Sequence, residues 1–147
     1  MTNPIIFLDI DGVLNSSEFV QAIGDKWTMD EVDPKAVERL NKIVEATGAE
    51  AVISSTWRRI HSLGFIKRVI SNAGGKVSVI DDTPKLGGLR GGEIQKWLDE
   101  NPGHDKFVIL DDNSDMEPLS NFLVQTTWDW GLQDEHVERA IEILTKE

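Results

Sequence analysis

The chain has 147 residues, an ordinary length for one folded domain and short for two with a linker, so residues 1–147 are expected to form a single domain. It contains no Cys, which excludes disulfides, thiolate zinc sites and thiol nucleophiles, and which suits a reducing compartment such as the cytoplasm. Acidic residues number 26 against 15 basic ones, a formal net charge of −11, and a surface of that sign repels polyanions and argues against a nonspecific nucleic-acid coat protein.

Met1-Thr2-Asn3-Pro4 has no basic leader character, and no later run approaches the roughly 18 apolar residues of a membrane span. A soluble protein is expected. Pro4-Ile5-Ile6-Phe7-Leu8-Asp9 is a short unbroken apolar run ending in acid, the pattern of a strand buried on both faces of a parallel sheet. Asp33-Pro34 supplies a helix cap and a first-turn proline. Val37, Leu40, Ile43 and Val44 then recur at helical spacing until Gly48, and Ala49 to Ser54 reads as the second strand.

Ile60 to Ala73 carries Leu63, Ile66, Val69 and Ile70 on one stripe and predicts a helix closed by Gly74-Gly75. Val77 to Ile80 reads as a third strand. Gly91 to Glu100 reads as a helix, Lys106 to Leu110 as a fourth strand ending in Asp111-Asp112, Phe122 to Thr127 as a fifth, and Glu135 to Leu144 as a closing helix. Five strands alternating with helices imply an α/β, Rossmann-like three-layer sandwich with a mainly parallel five-stranded sheet.

Such sheets bind ligands beyond the carboxyl ends of their strands. Here those ends deliver Asp9, then Ser54 and Ser55, then Asp111 and Asp112. Asp9 and Asp11 flank a single residue where a buried strand gives way to Gly12, and like charges that close call for a cation. Mg²⁺ suits them, because it takes oxygen ligands and because His61, His104 and His136 share no ligand spacing for a softer metal.

On these residues the chain resembles the haloacid dehalogenase (HAD) superfamily of phosphotransferases. Asp9-Ile10-Asp11-Gly12-Val13 matches the first motif, a strand followed by Asp-x-Asp-Gly-x. The resemblance implies that Asp9 attacks phosphorus to form an aspartyl-phosphate, and that Asp11 acts as general acid and then as base. It assigns a phosphate-binding hydroxyl to Ser54, with Ser55 close behind, in Ala51-Val52-Ile53-Ser54-Ser55-Thr56. A phosphate-neutralising cation is implied at Arg90, with Lys85 in reserve. An acidic metal-binding pair is implied at Asp111 and Asp112, with Asp115 acting through water. The implied Mg²⁺ set is Asp9, the backbone carbonyl of Asp11, and Asp112, with Asp111 as the second choice from the pair.

The gaps between motifs leave no room for a large cap domain, and Ser16 to Asp30, with Phe19 and Trp27, reads as a flap beside the site. An uncapped site admits a phosphorylated small molecule such as a nucleotide or sugar phosphate, and equally a nucleic-acid end. Ser55-Thr56-Trp57-Arg58, the run from Arg90 to Leu98, and Gly131-Leu132 resemble small HAD domains of phage and bacterial proteins, some attached to RNA-repair modules. Plainer readings stand beside these. Ser54-Ser55-Thr56 and Asp111-Asp112 also suit helix caps, and Arg90 also suits a solvated loop. Trp57 and Arg58 suit either substrate contact or packing, Trp97 suits the core, and Trp128 or Trp130 suits a place facing substrate.

Overall fold

The computed structural model describes residues 2–28 and 30–146. Five strands form one sheet in the order β3-β2-β1-β4-β5: β1 is Ile5–Leu8, β2 Glu50–Ile53, β3 Val79–Asp82, β4 Phe107–Asp111 and β5 Leu123–Gln125. Every pairing is parallel, with Ile5 to Leu8 aligned on Glu50 to Ile53 on one side and on Phe107 to Leu110 on the other. The strands of β1 and β4 are short apolar runs because neither face meets water.

Successive side chains of a strand point to opposite faces, and β1 divides its residues accordingly. Ile6 and Leu8 join a core with Val37, Leu40 and Ile43 of α2 (Pro34–Thr47), Ile66 and Ile70 of α3 (Leu63–Asn72), and Val137, Ala140 and Leu144 of α5 (Asp134–Thr145). Ile5 and Phe7 face the other way, onto Ile94 and Trp97 of α4 (Arg90–Glu100) and onto Met116 and Leu119. Phe7 meets Trp97 edge-to-face at 5.5 Å, so Trp97 belongs to the core. This is the three-layer, Rossmann-like arrangement expected from the alternation of elements.

Boundaries move where capping overrides apolar spacing. The Asp33 carboxylate accepts from the Lys35 N–H at 2.9 Å and starts α2 with Pro34 in its first turn; Gly48, at φ 72°, ends it. The helix expected from Ile60 starts at Leu63, because Thr56–Arg59 forms a separate 3₁₀ turn and the Ser62 hydroxyl accepts from the Phe65 N–H. The third strand lies two residues later than its apolar run. Its acidic end is accommodated because Asp81 accepts the Trp97 indole N–H at 2.7 Å.

Ser16 to Asp30 contains α1 (Ser17–Ile23), capped by the Ser16 hydroxyl, and a 3₁₀ turn at Gly24–Lys26. Ser17 and Glu18 donate to the carbonyls of Trp128 and Asp129 at 2.8 and 3.2 Å, which anchors the start of α1 to the loop after β5. Met29 in this stretch lies outside the described residues. Among the described residues no inserted cap domain stands between the elements, and no helix is long and apolar enough to cross a membrane.

Candidate active site

The carboxyl edge of the sheet brings four segments together. The Asp9 N–H donates to the Leu110 carbonyl at 3.0 Å and the Ser54 N–H donates to the Leu8 carbonyl at 3.0 Å, so Asp9 and Ser54 stand side by side where β1 and β2 end. Asp111 ends β4 on the other side of Asp9. Oxygens from Asp9, Asp111 and Asp112 all lie within 4.8 Å of one another. Asp11 stands outside that cluster, itself exposed on the turn that follows.

Gly12, at φ 83°, is required in the turn on two grounds. The backbone is in the region that side chains rarely adopt, and a Cβ there would collide with the Asp112 carboxylate. The turn is tied down by the Thr126 hydroxyl, which donates to the Gly12 carbonyl, and by the Thr126 N–H, which donates to the Asp111 carbonyl at 3.0 Å.

Arg90 is the cation of the cluster. One guanidinium nitrogen donates to Asp111 Oδ2 at 2.6 Å and lies 3.4 Å from Asp9 Oδ2. Its position is set by the start of α4, where the flanking Leu89 supplies no side-chain cap. Asp115 serves instead from a distant loop, its carboxylate accepting the Arg90 N–H at 3.3 Å and its carbonyl the Gly91 N–H at 3.0 Å. Gly91 permits this contact, since a Cβ would strike the backbone of Met116 and Glu117. Asp115 therefore sits at a helix terminus rather than among the three clustered carboxylates, and Lys85 lies exposed.

Two of the three clustered carboxylates, Asp9 and Asp111, face the Arg90 guanidinium, and proton affinities respond. Burial, then the Asp111 charge, pushes Asp9 well above the ordinary carboxylate range, against the pull of Arg90. Burial and Asp111 likewise raise Asp112. Burial works against the Arg90 charge, but Asp9 and Asp111 outweigh it and raise its proton affinity. Asp111 has both oxygens engaged, Oδ2 by Arg90 and Oδ1 by the Asn113 N–H at 2.9 Å.

The two serines have different surroundings. Ser55 Oγ accepts the Trp57 N–H at 3.2 Å and caps the 3₁₀ turn, which is the helix-cap reading of the motif. Ser54 Oγ is fully buried with no hydrogen-bond partner among the described residues, an orphaned hydroxyl next to Asp9. Arg58 packs inward. Its guanidinium donates to the carbonyls of Ser54, Ser55, Thr83 and Pro84 and to Glu93 Oε1 at 2.6 Å, so it is structural rather than substrate-facing.

Three residues make contacts at the site that no motif specifies. Glu93 anchors Arg58, Arg59 and the Leu86 N–H, a pairing across 35 residues that no local pattern reveals. Asn15 and Trp57 both donate to Asp11 Oδ1, at 2.9 and 3.3 Å. The position of Asn15 four residues after Asp11, within a glycine turn, is a signal that points to such a contact.

No curated protein and no solved structure matches the chain. The family described as the HAD domain in Swiss Army Knife RNA repair proteins matches residues 5–137, a span that includes every strand and each clustered acid. The chain belongs to that HAD family.

Proposed function

We propose that the chain is a Mg²⁺-dependent phosphohydrolase that cleaves a phosphomonoester through a phosphorylated Asp9. The observation that carries this reading is the Asp9 carboxylate itself. It ends the central strand, lies 3.4 Å from the Arg90 guanidinium, and is clustered with Asp111 and Asp112. The donors are all oxygens, and the proton affinities of Asp9 and Asp112 are raised, first by burial and then by the Asp111 charge, which a bound cation would offset. That chemistry fits a hard divalent ion. Asp9, the Asp11 carbonyl and Asp112 would hold it, with Asp111 second because both its oxygens already have partners. When bound, the ion supplies positive charge against the oxygens of the phosphoryl group.

Asp9 forms an O–P bond as the ester P–O bond breaks, and Asp11 gives its proton to the departing oxygen. Asp11, now a carboxylate, takes a proton from water, whose oxygen attacks phosphorus and releases Asp9 and inorganic phosphate. Arg90 neutralises phosphoryl oxygens, and the orphaned Ser54 hydroxyl donates to one of them. Ser55 supports that strand end through its cap.

A second reading, a phosphatase for nucleic-acid ends, is favoured by the family's RNA-repair description and by Trp128 and Trp130. These are 44% and 57% exposed on the loop joined to α1, where an unpaired base could stack. The net charge of −11 works against long polyanions, so contact would be confined to the terminal nucleotides.

The deciding assay is hydrolysis of p-nitrophenyl phosphate with Mg²⁺ and with excess chelator. Turnover that disappears in chelator is the expected result, and no turnover under either condition would indicate a noncatalytic phosphate- or Mg²⁺-binding module. Salt-titrated binding and hydrolysis of 5′- and 3′-phosphorylated oligonucleotides, compared with nucleotides and sugar phosphates, separates the two substrate classes.

A further inference from the structure

Resting on the proposed acid–base role of Asp11, we propose that Trp57 and Asn15 are positioning residues: together they fix the Asp11 carboxylate so that Oδ2 is the oxygen that gives and takes the proton. Asp11 is the exposed residue of an otherwise buried turn, and an exposed carboxylate would ordinarily sample several rotamers. Here one oxygen is held twice. Asn15 Nδ2 and Trp57 Nε1 both donate to Oδ1, whereas no hydrogen bond or ion pair reaches Oδ2 among the described residues.

Both donors are themselves fixed. Asn15 is 1% exposed, and its own Oδ1 accepts the Gly12 N–H at 3.2 Å, which sets the amide orientation. Trp57 is buried, with its ring against His61 at 5.3 Å; His61 in turn stacks on Phe65 at 4.4 Å and pairs with Asp30 at 3.1 Å. The indole N–H therefore approaches from a packed wall, and the amide from the glycine turn.

The consequence is chemical as well as geometric. When Oδ2–H breaks and the leaving oxygen gains the proton, the carboxylate left behind is already met by two N–H donors on Oδ1. The arrangement should matter most when the leaving group needs a proton. An alkoxide needs one, whereas a nitrophenolate departs without it.

The test compares kcat/KM, which reports the first phosphoryl transfer, for glycerol 2-phosphate and p-nitrophenyl phosphate. Trp57→Phe deletes the indole donor and keeps most of the ring volume. Loss of one hydrogen bond to a charged group predicts about a tenfold fall on the alkyl ester and less than about twofold on the aryl ester. Equal losses on both esters overturn the inference. If Trp57→Phe does not melt cooperatively, Asn15→Ser, which withdraws the other donor, is read by the same ratio.

Asp11→Asn separates this inference from the reading beneath it. If that variant keeps its alkyl-ester activity, the acid role of Asp11 fails. If it loses alkyl-ester activity while Trp57→Phe and Asn15→Ser show no preference between esters, only the positioning role fails.

Discussion

Arg58 and Arg90 both follow strand ends at the same edge of the sheet, and both lie against acids, yet their surroundings differ in completeness. The Arg58 guanidinium is saturated by four carbonyls and Glu93, and both Glu93 oxygens are engaged in turn. Arg90 meets Asp111 closely and Asp9 loosely, with Asp112 completing an acid-rich cluster beside an unpartnered Ser54 hydroxyl. A closed network of buried charges holds a fold, because removing one partner strands the other. An incomplete one keeps lone pairs and positive charge in reserve for a ligand, at a cost in stability.

Substitution of the open site should have the largest effect on turnover. Asp9→Asn removes the proposed nucleophile and should lower turnover on the order of 10⁴-fold or more. It also relieves carboxylate repulsion, so the Mg²⁺-free variant should melt about 2–4 °C higher, equivalent to roughly 1 kcal/mol for a domain of this size. A variant that keeps a tenth of wild-type turnover, or melts lower, contradicts the contrast. The closed site should respond in the opposite sense. Glu93→Ala leaves Arg58 buried without its acid and should cost about 3–5 kcal/mol in urea unfolding, with turnover well below the transition largely kept.

Arg90→Ala is the sharper comparison, because it should affect both properties. Losing the proposed donor to the phosphoryl group predicts a fall of roughly 10²-fold in kcat/KM. Stability should fall too, and added Mg²⁺ should raise the melting temperature of this variant more than that of the wild type. An unchanged rate would move the phosphate-neutralising role to Lys85.

The smallest effect is in pH. Asp9 and Asp112 bind protons more tightly in the folded chain than their ordinary value of 3.8 implies. Protonation therefore favours the fold: their contribution is full below the ordinary value and is lost as pH rises through the raised values. Mg²⁺-free wild type should gain stability relative to Asp9→Asn over that interval of acidification. Calorimetry of the pair isolates the contribution of Asp9, and Mg²⁺ affinity should weaken in the same direction. Parallel pH profiles for the two proteins would contradict this assignment.

These contrasts also explain how much was legible from the chain alone. Strands β1 and β4 and the acids that end them stood out because a strand buried on both faces leaves an unbroken apolar run. Order along the chain then brought Asp9, Ser54 and Asp111 to one edge, since a parallel sheet aligns its carboxyl ends. Partnerships were hidden. Arg58 and Glu93 are distant in sequence, Asp115 caps a helix that begins 25 residues earlier, and which serine is occupied depends on a turn at Thr56 that apolar spacing does not encode. Indole and amide donors on Asp11 belong to the same class, set by tertiary contact.

The Asp9 amide is hydrogen-bonded at the carboxyl end of the central strand, between two neighbours that are themselves interior strands. Backbone at such a position exchanges its hydrogen for deuterium only when the whole lattice of strands opens. The Asp9 carboxylate thus hangs from backbone held between interior strands, and any adjustment to ligands of different size falls to the surrounding loops. Heating should accordingly extinguish activity together with global unfolding rather than ahead of it.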